Sequence, residues 1–231
     1  KLIFGKLLDE VKPDIVHVFA IYTTITPSIL DACAERKIPV VMSCNDYKHI
    51  CPNYRLFHDG KICEACKGNK FYQATLKNCC KHSMAVSVVS SLEAYSHSYS
   101  KVVKKNVSAF LFESNFMLQK TKEFWGSNYR YEFVGKPFDV NRFLPTTENK
   151  NYILYAGRLS DEKGVDILIK AMQHCKDVPL VIAGSGNEEK NLKQLTAQLN
   201  LSNIIFKGNV SAGEMQTLMS ECSFVVIPSI W

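Results

Sequence analysis

The stretch "YILYAGRLSDEKGVDILIKAM" (residues 152–172) decides how this chain is expected to fold. "YILYA" is a short apolar run that stops at Gly157, the pattern of a buried strand entering a turn. Val165, Leu168, Ile169 and Met172 then recur at i, i+3, i+4 and i+7, which makes one apolar helix face. Between strand and helix lie Arg158 and Lys163. A helix start carries partial positive charge, so cations there are disfavoured by roughly 0.3–1 kcal/mol. Asp161 and Glu162 suit that position. The two cations suit it only if an anion belongs between them, or if Lys163 is solvated and Arg158 pairs with Asp161 or Glu162. Both readings stay open on these residues alone.

Outward from this stretch the same unit repeats. Strands are predicted near 152–156, 179–183, 203–207 and 223–227, and helices near 161–175, 187–200 and 211–221. Ser211 and Glu214 form a capping box at the last helix. Toward the N-terminus, "DIVHVF" (14–19), "PVVMSC" (39–44) and "VSAFLF" (107–112) read as buried strands. Thr26 and Pro27 open one helix, Ser114 opens another that stops at Gly126, and one long helical stretch is expected from about 70 to 104. Strands alternating with helices imply parallel sheets covered on both faces. The fold class is α/β, with two Rossmann-like doubly wound domains. Residues 1–140 form the first and 152–231 the second. "VGKPFDVNRFLPTTENKN" (134–151), with two prolines and a polar tail, supplies a linker at 141–151. The sequence starts at Lys1 and stops at "VVIPSIW", so both domains are expected to be incomplete.

The chain has 231 residues, 46% hydrophobic, enough for one large or two smaller cores. No run approaches the roughly 18 apolar residues of a membrane span, and no signal peptide is visible, so a cytoplasmic location is expected. The net charge of +6 is uneven: residues 67–105 hold seven Lys and one acid, Glu93. Such a run is either a solvated helix face or a surface drawn to anionic lipid headgroups at the inner face of the cell membrane. Nucleic acid is not expected, since no binding module is recognisable.

Five of the nine cysteines fall in a loop at 45–82, as Cys51, Cys63, Cys66, Cys79 and Cys80. A CxxC flanked by further cysteines offers four soft ligands for a tetrahedral structural zinc, with His49, His58 and His82 as substitutes. Free thiols, or an iron–sulfur or redox role, are the other readings.

"YAGRLSDEKGVDILIKAM", "LVIAGSGNEEKNL", "IIFKGNV" and "VVIPSIW", in that order, resemble the donor domain of family-4 glycosyltransferases, which have the two-domain GT-B fold. The resemblance extends back through "KPFDVNRFLP", "PVVMSCNDYKHICPN" and "DIVHVF", over nearly the whole chain. It implies retaining transfer of a sugar from a nucleoside diphosphate to a glycan or lipid-linked acceptor, in surface polysaccharide biosynthesis, with no metal cofactor for catalysis. Arg158 and Lys163 would bind the diphosphate and carry catalysis. Gly157, Gly184 and Gly186 would border the donor pocket, where side chains would block the nucleotide, and Val210 would meet the base. Asn45 and Asp46 would lie on the acceptor side, Asn45 standing where many members have a His. The family's acidic pair beyond "IPSIW" lies past Trp231, so this fragment is not expected to turn over by itself. Some bacterial members share a similar cysteine loop, which points to Cys51, Cys63, Cys66 and Cys79 as the zinc set. Two rival readings are a nucleotide-sugar epimerase of the same fold and a non-catalytic zinc-binding interaction module.

Overall fold

The computed structural model describes residues 1–22, 25–140 and 149–231, so most of the expected linker at 141–151 lies outside the described residues. The chain divides into two compact units, Lys1–Pro137 and Phe138–Trp231.

Unit 1 is built on four parallel strands in the order β1 (Val16–Phe19), β2 (Val40–Cys44), β5 (Ala109–Phe112), β6 (Tyr131–Phe133). Val40, Met42 and Cys44 of β2 and Phe110 and Phe112 of β5 are buried against Leu8 of α1 (Leu2–Val11), Leu30 and Cys33 of α2 (Ser28–Glu35) and Leu118 of α6 (Asn115–Trp125). Each fully buried Leu or Phe contributes roughly 1.5–3 kcal/mol relative to exposure. At the start of α6 the Ser114 hydroxyl accepts from the Phe116 N–H, and Gly126 follows the last turn with φ 86°, a left-handed value that favours glycine.

Two expectations for unit 1 need correction. Residues 70–104 are not one helix but α3 (Tyr72–Leu76) and α4 (Met84–Ser100), followed by α5 (Val102–Asn106). The first break spans "KNCCKHS", where Asn78, Lys81 and His82 take left-handed φ of 48°, 55° and 50°. Ser83 then caps α4 by accepting from the Val86 N–H. The second break is Lys101, at φ 52°. The cysteine loop, read as irregular, contains a two-stranded antiparallel hairpin, β3 (Phe57–His58) and β4 (Lys61–Ile62). Its Asp59–Gly60 turn has φ of 48° and 72°, the mirror-image turn that matches strand twist.

Unit 2 is also parallel, in the order β10 (Phe224–Val225), β7 (Ile153–Ala156), β8 (Leu180–Ala183), β9 (Ile204–Gly208). Successive strand residues face opposite sides. Ile153, Tyr155, Leu180 and Ile182 pack with α7 (Val165–Ala171) and α8 (Glu189–Gln198) on one face. Tyr152, Leu154, Val181 and Ala183 pack with Leu218 of α9 (Ala212–Glu221) on the other. The sheet is therefore doubly wound, as the alternation of strands and helices implied. The chain runs β7, β8, β9 outward in one direction, then crosses to place β10 on the far side of β7. That reversal of strand order sits beside the carboxyl end of β7, the position where open α/β sheets leave a ligand crevice.

Candidate functional site

At that end of β7 the sequence turns sharply. Gly157 donates its N–H to Ala183 at 3.0 Å, and Gly184 donates to Gly208 at 2.7 Å, so the ends of β7, β8 and β9 are laced together. Gly157, Gly184 and the loop leading to Val210 thus share one sheet edge, and the structure brings these expected donor residues together. Gly186 lies on the same loop, and Ser185 Oγ and Asn209 Oδ1 are 2.8 Å apart across it. Val210 is half-buried against the α9 face.

The structure adds a packing reason for two of these glycines, one that can hold together with the donor access the resemblance implied. A Cβ on Gly184 would lie 1.9 Å from the Gly157 carbonyl oxygen, and one on Gly186 would lie 2.0 Å from that of Leu159. What excludes side chains here is the backbone of the neighbouring loop. Gly164 is fixed in the same way: φ is 62° and a Cβ would meet the Pro228 carbonyl at 2.3 Å.

Lys163 is placed differently from the expectation. It does not open the helix but ends a 3₁₀ turn, Asp161–Lys163, and Gly164 separates it from α7. Its side chain is half-buried and forms no ion pair among the described residues. Arg158 Nη2 donates to Glu162 Oε1 at 3.2 Å, which is the pairing left open above. Glu162 is buried and also accepts from Ser160 Oγ at 2.7 Å, whereas the Arg158 side chain is 69% exposed. The Arg158 end of the pair therefore lies in solvent, whereas the Glu162 carboxylate is buried and held by Ser160. The edge therefore places two cations, Arg158 and Lys163, beside tightly packed loop backbone.

In unit 1 the corresponding strand end is that of β2, and Asn45 and Asp46 follow it directly. Asn45 is exposed. Asp46 Oδ1 accepts from the Tyr22 hydroxyl at 3.2 Å and from the Lys48 N–H at 2.9 Å. Burial, then the carboxylate of Asp46, pushes the Tyr22 phenol well above its ordinary range. A cavity of about 600 Å³ opens beside Asp46, lined among others by Tyr22, Lys48, Arg55, Lys81 and Glu93. Lys48 Nζ reaches Glu93 Oε2 at 2.6 Å and the Pro52 carbonyl at 3.3 Å. Sequence reasoning missed this pair, whose members stand 45 residues apart. The available signal was Glu93 itself, the lone acid in a lysine-rich stretch.

All nine cysteines are free thiols. Cys51 packs with Tyr47, Ile50 and Leu56, while Cys66 and Cys80 pack with Phe71 and Ala74, with Cys79 against them. Cys63 is half-buried. Among the described residues no group of three or more His, Cys, Asp or Glu is arranged to hold a metal ion. The thiols nevertheless feel one another: burial first, then Cys51 and Cys63, push the Cys66 thiol up to about 12. Cys80 is drawn below its ordinary value by a hydrogen bond from the Cys79 thiol and by the Ser90 and Ser87 hydroxyls. The substitute ligands are elsewhere: His49 Nε2 lies 2.8 Å from Thr121 Oγ1, His58 pairs with Asp59 at 3.1 Å, and His82 is exposed.

Comparison with known proteins bears on both units. Residues 139–231 match the family model described as "Glycosyl transferases group 1". Over 231 aligned residues, 99% of the chain is 26% identical to an uncharacterized 42.6 kDa protein in the cps region of Klebsiella pneumoniae, covering 54% of it. Over 41% of the chain it is 32% identical to an uncharacterized glycosyltransferase of Methanocaldococcus jannaschii, covering 28% of that protein. The chain thus spans about half the length of the Klebsiella relative and less of the other. Among solved structures, Anabaena HepE in complex with UDP superposes over 99% of this chain and 57% of its own, with a TM-score of 0.65 and 17% identity. At that identity the likeness is one of fold, two doubly wound units of the GT-B type.

Proposed function

We propose that this chain, whose residues 139–231 carry a Glycosyl transferases group 1 domain, transfers a hexose from a nucleoside diphosphate to a glycan or lipid-linked acceptor with retention of configuration. The observation that carries the reading is the carboxyl edge of unit 2, where Gly157 and Arg158 follow β7 beside the strand-order reversal, Gly184 and Gly186 follow β8, Val210 follows β9, and Lys163 forms no ion pair among the described residues. HepE, of the same fold, was solved with UDP, which supports a nucleotide ligand at such an edge. The Klebsiella relative's place in a cps region supports a role in surface polysaccharide synthesis.

The chemistry follows from charge. As the glycosidic bond to the diphosphate breaks, negative charge builds on the leaving group. Arg158 exchanges Glu162 for the diphosphate and grips it with its planar fork, while Lys163 adds a point charge. Cations fixed before the reaction stabilise the departing diphosphate more than the intact donor, which is what lowers the barrier. Asp46 and Asn45 hold the acceptor in unit 1. The Asn45 amide cannot take up a proton near neutral pH, so it orients a hydroxyl and does not act as a base.

The test is turnover by the full-length protein with nucleotide sugars. Arg158→Ala is expected to lower kcat by about 10²–10³, the scale of losing one preorganised donor. Wild-type turnover by the variant would sink the assignment. Proton NMR of the product settles retention, and a free sugar epimer in place of a glycoside would favour the epimerase reading.

Two further elements belong to the proposal. The α3–α4 face exposes Met84, Val89, Leu92 and Tyr99 among the lysines of residues 67–105, which supports shallow docking on an anionic membrane. No helix among the described residues is long and apolar enough to cross a membrane. A structural zinc on Cys51, Cys63, Cys66 and Cys79 rests on the spacing of these cysteines, while burial holds the Cys51 thiol above its ordinary value. Metal binding would require the sulfurs to close together, and metal analysis with thiol titration of the purified protein decides it.

A further inference from the structure

We propose that Tyr155 is a positioning residue for Arg158: its hydroxyl holds the Arg158 main chain and so aims the guanidinium at the anion received by the edge of unit 2. The proposal rests on the transferase reading, because that reading makes the anion a nucleoside diphosphate.

Ring and hydroxyl of Tyr155 do different things. The ring belongs to the core beside Leu159, Val165 and Ile169, and the residue is 3% exposed. A phenylalanine ring would fill that place as well. The hydroxyl is the difference, and a buried tyrosine hydroxyl needs a partner. It donates to the Arg158 carbonyl at 2.8 Å. Burial, then the Glu162 carboxylate, push the phenol above its ordinary value, so it keeps its proton and stays a donor.

The neighbours of Arg158 show what this bond adds. The Gly157 N–H donates to the Ala183 carbonyl at 3.0 Å and the Leu159 N–H to the Ser185 carbonyl at 2.9 Å, so the residues on either side are tied to β8 and the loop after it. Among the described residues the main chain of Arg158 makes one hydrogen bond, the one from Tyr155. The Tyr155 oxygen also lies close against the turn, since a Cβ on Gly157 would stand 3.1 Å from it. The hydroxyl thus fixes the peptide plane that follows the Arg158 Cα, and with it the direction in which the side chain leaves the loop.

That direction matters because the side chain has little else to guide it. It is 69% exposed, and its one hydrogen bond among the described residues is the 3.2 Å contact with Glu162. Once Arg158 exchanges Glu162 for the diphosphate, the Tyr155 bond is the contact that remains. A binding group works only when held within about 0.5 Å and 10–20° of its productive geometry. A matched case lies on the same segment. Tyr152 is also buried, and its hydroxyl donates to the Leu218 carbonyl at 2.8 Å, but it packs in the other core, against α9. The two hydroxyls make the same kind of bond, and one of them meets the edge.

The experiment is calorimetric titration of the whole chain with UDP and with GDP, the tighter of the two being carried through the variants. Tyr155→Phe is expected to weaken binding by about two- to tenfold, the scale of one neutral hydrogen bond. Tyr152→Phe, which loses the same kind of bond, should bind as wild type. Added to Arg158→Ala, Tyr155→Phe should weaken binding no further, because the residue it positions is gone. A hydroxyl that only steadies the fold would lower affinity in both backgrounds. The ring stays in the core in both tyrosine variants, and circular dichroism verifies that they fold. Unchanged affinity in Tyr155→Phe, equal weakening by Tyr152→Phe, or the same loss repeated in the Arg158→Ala background would overturn the proposal. If Arg158→Ala weakens binding and Tyr155→Phe does not, this proposal fails and the transferase reading stands. If Arg158→Ala binds as wild type, or neither nucleotide binds, the two fall together.

Discussion

Gly186→Ala isolates what the glycines of unit 2 are for. The added Cβ would lie 2.0 Å from the Leu159 carbonyl oxygen, 2.5 Å from its carbon and 2.7 Å from its nitrogen. Cβ contacts under 3.0 Å essentially never occur, so the two loops must part by about 1 Å, and the obstacle is backbone that has no rotamer to change. Leu159 is fully buried and is held at both ends, donating to Ser185 at 2.9 Å and accepting from Glu188 at 3.1 Å. Overpacking costs about 1–3 kcal/mol, and loss of one or both hydrogen bonds adds about 1 kcal/mol each. A loss of about 3 kcal/mol follows. For a unit of this size, each kcal/mol moves the midpoint by about 4–8 °C, so its melting should fall by about 12–24 °C. Thermal unfolding followed by circular dichroism reads this directly. Gly213→Ala is the matched control: it lies in α9 with open space around it, and should stabilise by about 0.5–1 kcal/mol. If Gly186→Ala melts with the wild type and only nucleotide affinity falls, the loop-packing argument is wrong and ligand access is the reason for the glycine.

Two other outcomes follow from unit 1. Among the described residues the Nδ1 of His49 is buried without a hydrogen-bond partner, and burial, with Lys104 nearby, holds the imidazole down to about 3. The unfolded chain takes up a proton near 6.5 and the folded one does not, so stability should fall by about 1.4 kcal/mol per pH unit from about 6.5 toward 3. Urea unfolding at neutral and mildly acidic pH should show this slope in the wild type and lack it in His49→Gln; equal slopes would contradict it. Flotation with anionic vesicles should carry the protein at low salt and release it at high salt, and Val89→Ser with Leu92→Ser should abolish it. Binding unaffected by these changes would remove the α3–α4 face from the membrane.

The buried strands were legible because their runs are short and apolar, whereas β6, half-buried and exposed along its three residues, was not among those expected. Tyr152 and Leu154 against Ile153 and Tyr155 divide between two cores, and the apolar run shows it. Ser114 and Gly126 marked α6 because cap chemistry is local. The Asp59–Gly60 hairpin is equally local, but its strands are two residues each, too short for an alternating pattern to show. The break at "KNCCKHS" was hidden, since four of its residues adopt neither extreme of helix propensity and tertiary bonds such as Cys80 N–H to Ser87 Oγ decide the outcome. Nothing local shows that Gly184 meets Gly157 or that Lys48 meets Glu93. Such contacts exist only once strands far apart in sequence lie side by side, so the donor edge was legible as residues and its packing was not.

The most direct test of the account is calorimetric titration of the purified chain with UDP in the presence of EDTA, for the wild type, Arg158→Ala and Lys163→Ala. The account predicts that UDP binds without a divalent metal, and that each variant loses about tenfold or more in affinity while keeping its fold. Binding of UDP with the same affinity by all three proteins would contradict it, because the diphosphate would then rest on something other than the two cations at the end of β7.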